Sequence, residues 1–252
     1  MNINFWKCES TGNDFVIFTD SEKIDNYSEI SQKLSKRKFG IGADGIIAIA
    51  DHNDFDFEMK YYNKDGSGPV MCGNGARASL LYVNQKIRSK NHYKFLAADG
   101  EHEGKVIKNK YSLSMQSGDE IQQISVNNYE AFYTNTGVPH IIIKTKNIDE
   151  IDLDQVAPSI RKKYDANVNF IEKENAESWN IRTFERGVEG ETLACGTGVT
   201  AAAIVLVDKF KPTYPVRINT KGGPLHVDQE SNKIWLDGPA KKVFEGTISI
   251  QT

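Results

Sequence analysis

The pattern C-G-x-G, followed by small residues and an apolar run, occurs twice in this chain. Residues 71–84 read MCGNGARASLLYVN and residues 194–207 read ACGTGVTAAAIVLV. Their cysteines, Cys72 and Cys195, lie about half of the 252-residue chain apart. Two copies of a half-chain unit, each offering one cysteine to a shared cleft, explain that spacing, whereas a lone C-G-x-G is easily a coincidence. The repeat is the strongest constraint on the fold, because no Pro/Ser-rich linker or low-complexity tract marks a boundary.

Strand-like segments dominate the remainder: 55–63, 105–116, 140–146, 180–186, 216–228 and 233–238, several with alternating apolar and polar residues. Helical patterns are fewer. The clearest are 27–38, with basic residues in its last turn and Gly40 beyond, and the runs after each C-G-x-G. The expected fold class is α/β in the α+β sense: two pseudo-symmetric lobes, each a curled sheet around a central helix.

Composition bounds the function. With 39% hydrophobic residues the chain can bury a sizeable core, and a net charge of −3 gives no broad basic field for nucleic acid. The stretch Lys86, Arg88, Lys90 and Lys94 reads as a solvated face. The run VTAAAIVLV at 199–207 is too short to span a bilayer, so the expectation is a cytoplasmic enzyme with no membrane partner. Three cysteines without C-x-x-C spacing suggest neither a disulfide framework nor a structural metal site.

A cysteine followed by Gly-x-Gly and an apolar helix sits at a helix N-terminus, where unpaired amides and the positive dipole end collect. That position is expected to favour the thiolate. The same amides hold a substrate carboxylate or a developing enolate oxygen. Two such ends would place a thiol on either side of one α-carbon, one removing a proton and the other supplying one, with no need of metal or pyridoxal. The bland alternative for either cysteine alone is packing in a Gly-rich turn, and for Cys8 packing is preferred outright.

Polar turns echo each other in the two halves: Asn63 and Asp65-Gly66 before Cys72, and Glu185-Arg186-Gly187 before Cys195. Gly12-Asn13-Asp14 interrupts the first strand. Arg186 is suited to bind a carboxylate bidentately, with a surface salt bridge to Glu189 or Glu191 as its alternative. His140 either tunes a thiol, holds substrate or is structural.

In order, TGNDF (11–15), RKFGIGADG (37–45), NKDG with MCGNGAR (63–77), TGVPH (136–140), NVNF (167–170), FERGVEGETLACGTG (184–198) and KGGPL (221–225) resemble the diaminopimelate epimerase family over nearly the whole chain. The resemblance implies a cofactor-independent epimerase that converts LL-2,6-diaminopimelate to the meso form, a small-molecule amino-acid substrate, and a homodimer. It implies mostly antiparallel lobes with the active site in the interlobe cleft. The last strand, about 241–252, returns to the first lobe, so the lobes are 1–116 plus 241–252, and 117–240. Cys72 and Cys195 become the acid/base pair, with His140 and Glu185 modulating the thiols. The amides of Gly73, Asn74, Gly196 and Thr197 hold the reacting carboxylate, while Asn13, Asn63, Asn167, Glu185 and Arg186 bind the rest of the substrate. Three positions depart from the family pattern: Val138 in place of Asn, Gly45 in place of Gln, and Ala78 in place of Cys. A related proline-racemase-like enzyme with another substrate is the alternative. A binding protein and a cysteine hydrolase using His140 stand further back.

Overall fold

The computed structural model describes residues 2–20, 24–126 and 129–250. In chain order its elements are β1 (Asn2–Ser10), β2 (Asn13–Thr19), α1 (Tyr27–Leu34), β3 (Gly45–Ala50), β4 (Phe57–Asn63), α2 (Gly73–Tyr82), β5 (His92–Ala97), β6 (Gly100–Ile107), β7 (Lys110–Met115), β8 (Gln122–Val126) and β9 (Tyr129–Asn135). They continue with β10 (Pro139–Lys144), α3 (Leu153–Tyr164), β11 (Asn167–Lys173), β12 (Ser178–Glu185), β13 (Gly190–Thr192), α4 (Gly196–Val205), β14 (Val216–Thr220), β15 (Gly223–Glu230), β16 (Lys233–Gly238) and β17 (Lys241–Ser249). The chain divides into two units, residues 1–113 with 238–252, and residues 114–237.

In unit 1 the sheet runs β17, β1, β2, β3, β4, β5, β6, β7. Its β2–β3 and β4–β5 steps are parallel and the others antiparallel. In unit 2 it runs β8, β9, β10, β11, β12, β14, β15, β16, with β10–β11 and β12–β14 parallel and the others antiparallel. The order of steps is the same in both, and each parallel step is crossed by a helix: α1 and α3 at the first, α2 and α4 at the second. These are two similar α+β units with open sheets.

Helices α1 and α3 are amphipathic and lie outside. Ile30 and Leu34 of α1, and Leu153, Ala157 and Ile160 of α3, face inward while their other sides stay wet. Helices α2 and α4 differ in kind. Every residue of α2 after Gly73 is buried, and Gly198–Ala203 of α4 are buried without a break. A helix with no solvent face needs apolar or satisfied contacts all round. The sheet of each unit supplies them, with α2 against β1, β2, β3, β4, β6 and β17, and α4 against β9, β10, β11, β14 and β15. Around α4, Val199, Val205 and Leu206 pack with Ile142, Ile218, Leu225, Val227 and Leu236.

Two segments expected as single strands are hairpins. Residues 105–116 turn at Lys108 and Asn109, both at positive φ (50° and 61°), and residues 216–228 turn before Gly223 (φ +128°). Asn and Gly tolerate that left-handed backbone, and the alternating pattern continues across the turn and hides it. The helix expected over 27–38 ends at Leu34. Its cap Ser35 donates its amide to the Ser31 carbonyl, and the chain then turns through Gly40 and Gly42.

Gly45, where relatives were expected to carry a side chain, opens β3 under two tyrosines. A Cβ there would lie 2.2 Å from the Tyr62 carbonyl oxygen and 2.6 Å from the Tyr61 ring. The expected cost of Gly45→Ala is about 2–3 kcal/mol of stability, measured as a lower urea midpoint at unchanged slope. A midpoint equal to that of the parent protein would show that the strands relax freely.

Candidate active site

In unit 1, Cys72 is the N-cap of α2, held extended at φ −141° and ψ 115°, and its Sγ accepts the Gly75 amide at 3.4 Å. The first backbone bond of the helix runs from the Ala76 amide to the Cys72 carbonyl at 2.8 Å. Gly73 and Asn74 therefore precede the helical ladder, with their N–H groups at its positive end.

Behind them runs a polar chain. The buried Asn74 side chain accepts at Oδ1 from Thr11 Oγ1 (3.1 Å) and Arg77 Nη2 (2.6 Å), and its Nδ2 donates to Asn13 Oδ1 at 2.6 Å. Asn13 Nδ2 donates in turn to Asp44 Oδ2 at 3.0 Å. Arg37 bridges Asp14 (2.7 Å) and Asp44 (3.2 Å), and Lys7 donates to Asp14 at 2.7 Å. Burial pushes the Asp14 carboxyl up, but Arg37 and Lys7 more than reverse that and leave it below its ordinary value. Asn63 stands at the end of β4, accepting from Tyr61 Oη at 2.9 Å and donating to Ser67 Oγ at 2.9 Å.

In unit 2, Cys195 caps α4 at φ −120° and ψ 109°, and its Sγ lies 3.4 Å from Thr197 Oγ1. Thr197 Oγ1 is 3.0 Å from His140 Nε2, and His140 Nδ1 is 3.1 Å from Asn169 Nδ2. The parallel pairing of β10 and β11 sets His140 opposite Asn167, which brings this cluster under the start of α4. Burial, reinforced by the Arg186 charge, pushes His140 down to about 3, so the ring is neutral at physiological pH.

The expected thiolate at a helix start does not hold for Cys195. Burial pushes the thiol up to about 12 and the charge of Glu185 adds to this, outweighing the Thr197 hydroxyl and the amides of Gly198 and Thr197. Cys195 is therefore a protonated thiol in this state, because removing water costs a thiolate more than one helix end returns. Burial also raises the Glu185 carboxyl above its ordinary value.

Asn167 is tied to the two neighbouring strands, donating to the Pro139 carbonyl at the start of β10 at 3.2 Å and accepting the Arg186 amide just after β12 at 2.8 Å. Arg186 Nη1 binds the Asp165 carbonyl and carboxylate, both at 3.0 Å. Neither acid named as its alternative partner takes it. Glu189 pairs with Arg161 at 2.7 Å, and Glu191 with Arg182 and Lys221, each at 2.7 Å.

Within unit 1 the structure thus links Asn13 and Asn74 directly and sets Cys72 and Gly73 beside them, while Asn63 hangs separately on Tyr61. Within unit 2 it joins Cys195, Thr197 and His140 in one chain and Asn167 and Arg186 in another. Sequence reasoning passed over Arg77, Asp44, Thr183 and Asn169. For Asn169 a signal existed, since Asn167 and Asn169 alternate onto one face of β11. Among the described residues no His/Cys/Asp/Glu group is arranged to hold a metal ion, and no helix is long and apolar enough to cross a membrane.

A family profile described as diaminopimelate epimerase matches residues 5–120 and 132–243. A diaminopimelate epimerase from Campylobacter lari is 38% identical, over 96% of this chain and 98% of its own length. Those from Flavobacterium psychrophilum (36%; 98% and 100%) and Aquifex aeolicus (34%; 98% and 98%) are similar throughout. Among solved structures, a phenazine biosynthesis protein of the PhzF family from Enterococcus faecalis has TM-score 0.80 at 14% identity, covering 99% of this chain and 100% of its own. A methylitaconate-delta-isomerase has TM-score 0.67 at 12% identity, covering 98% and 95%. These two show a shared fold.

The burial of Cys195 gives a direct test. In a variant with both Cys8→Ala and Cys72→Ser, ultraviolet titration of the folded protein is expected to show no thiolate from neutrality up to pH 9.0, where an ordinary thiol is half ionised. Thiolate absorbance growing in that range would place Cys195 in a wetter setting.

Proposed function

Because the chain belongs to the diaminopimelate epimerase family, we propose that it inverts one α-carbon of 2,6-diaminopimelate with Cys72 and Cys195 as the acid/base pair. The enzyme is an isomerase of amino-acid and lysine biosynthesis, cofactor-independent, interconverting the LL and meso forms. The observation that carries the cysteine roles is their equivalence: each caps the enclosed helix of its unit.

In the proposed step one sulfur, as thiolate, takes the α-proton from one face, and the other, as thiol, delivers its proton to the opposite face. The C–H electron pair passes into the carboxylate as an enolate and returns to carbon in the new bond, so the pair ends with its protons exchanged. The amides of Gly73, Asn74, Gly196 and Thr197 lie at positive helix ends, where charge on that carboxylate is best stabilised. The protonated state of Cys195 suits it to donate first.

Asn13, Asn63 and Asn167 have their amide oxygens engaged by Asn74, Tyr61 and the Arg186 backbone. Each amide also donates once, to Asp44, Ser67 or the Pro139 carbonyl, so each keeps one N–H and one oxygen lone pair with which to donate to a carboxylate or accept from an ammonium group. Arg186, whose backbone amide binds Asn167, carries a guanidinium suited to a carboxylate, and it supports a long substrate with a second carboxylate over a proline-sized one. Glu185 is the acid available to face an amino group. A homodimer in the cytoplasm completes the proposal, and sedimentation of the purified protein checks the first half.

Reduced enzyme with LL-diaminopimelate in D₂O is expected to exchange the α-proton and form the meso isomer, followed by NMR. Cys72→Ala and Cys195→Ala should each lower turnover by about a thousandfold. Near-parent activity in either variant would remove that cysteine from the mechanism. Turnover of proline without turnover of diaminopimelate would move the substrate to the alternative enzyme.

A further inference from the structure

We infer that Asn169 is a positioning residue for the Cys195 thiol: it fixes the His140 proton on Nε2, so that His140 donates to Thr197 and the Thr197 hydroxyl donates to the sulfur. The inference rests on the reading that Cys195 is a reacting thiol. Asn169 has no exposed surface and lies in the middle of β11.

The orientation of its amide is decided by its neighbours. Thr183 Oγ1 donates to Oδ1 at 2.9 Å, while Nδ2 faces the carbonyl oxygens of Ile141 (3.1 Å) and Asn167 (3.4 Å). A flipped amide would set its oxygen against two acceptors. The nitrogen that faces those carbonyls also faces His140 Nδ1, so that ring nitrogen has to accept. An imidazolium is excluded by the same contact, because it would point an N–H at an N–H.

Elimination assigns the other protons. With Nδ1 accepting, the single ring proton sits on Nε2 and is donated to Thr197 Oγ1 at 3.0 Å. The threonine hydrogen is then left for Cys195 Sγ at 3.4 Å. In the other tautomer the hydroxyl would donate to Nε2, and the sulfur would spend its own proton on Thr197. The tautomer therefore decides whether the thiol proton is held internally or is free for a substrate carbon.

The fit is tight enough to specify the neighbour on α4. A Cβ at position 198 would lie 2.5 Å from Asn169 Oδ1, 3.3 Å from the His140 ring and 3.4 Å from Cys195 Sγ, so Gly198 admits the amide beneath the helix. The charged or titratable groups acting on the cluster are Glu185 toward Cys195 and Arg186 toward His140.

The test is ¹⁵N NMR of histidine-labelled protein near neutral pH, with His140 assigned by its loss in His140→Asn. A proton on Nε2 alone is expected, and a proton on Nδ1 or on both nitrogens overturns the inference. Asn169→Leu should abolish the single-tautomer signature and lower kcat about tenfold, with KM nearly unchanged. Thr197→Val, which keeps its backbone amide, should lower kcat similarly and keep the Nε2 proton. The double variant should fall no further than Thr197→Val alone. A folded Asn169→Leu protein with parent kcat, or losses that multiply in the double variant, overturns the chain of donors. A parent enzyme that does not epimerise diaminopimelate would refute the function, while the tautomer measurement would still decide the hydrogen-bond chain. That measurement uses the parent protein, so it stands even if Asn169→Leu does not fold.

Discussion

Helices α2 and α4 have no side that tolerates water, so each exists only where a sheet wraps it. That enclosure constrains the whole of each unit. The sheet has to curl, the parallel steps have to flank the helix, and the only part of the helix free to meet a ligand is its start. Cysteine, small and tolerant of burial, occupies that start in both units. The helix end offers its amides and the enclosure withholds water. The chemistry of the cap is the balance between the two.

For Cys195 the balance falls on the side of burial, which keeps the thiol protonated despite the helix end. His140 is buried as completely and is neutral for the same reason, which makes it a weak base. Both groups act through hydrogen bonds whose direction is set deeper in the core, where Thr183 and the Ile141 carbonyl orient Asn169. In unit 1 the corresponding space behind Cys72 is filled by apolar side chains, Ile47 and Phe15, which face Gly75 as Asn169 and His140 face Gly198, and the polar support there comes from a wholly buried arginine that holds Asn74. Arg77 donates to Ser10 (3.2 Å), Thr11 (2.9 Å) and Asn74 (2.6 Å). The units share a backbone plan and differ in the polar groups that support their thiols.

Much of this was legible in the chain. The paired C-G-x-G motifs located both helix caps, and the echo of Asn63 and Glu185-Arg186 located two strand ends. What the sequence hid has physical reasons. The hairpins at Lys108-Asn109 and before Gly223 continue the strand alternation through their turns, so no break in period marks them. The state of Cys195 depends on how much surface the fold removes, which no local motif carries. Asn169 looked like an ordinary polar residue of a strand. Its role appears only when β10, β12 and α4 converge on it, and Gly198, easily read as part of a cysteine motif, turns out to be the space it occupies.

The last strand, β17, pairs along the first, β1, from Asn2–Ser249 to Glu9–Lys241. Unit 1 is thus assembled from two stretches that flank unit 2 in the chain, whereas unit 2 is one uninterrupted stretch. On a ribosome the order of completion reverses the order of synthesis. Residues 114–237 are available to one another before unit 1 can receive its final strand. Until then β1 keeps an open edge, with Phe5 and Trp6 lacking Phe244 and Lys242 beside them. A strand made before unit 2 is thus among the last to be fully protected, and a chain stalled before residue 241 would carry an adhesive edge.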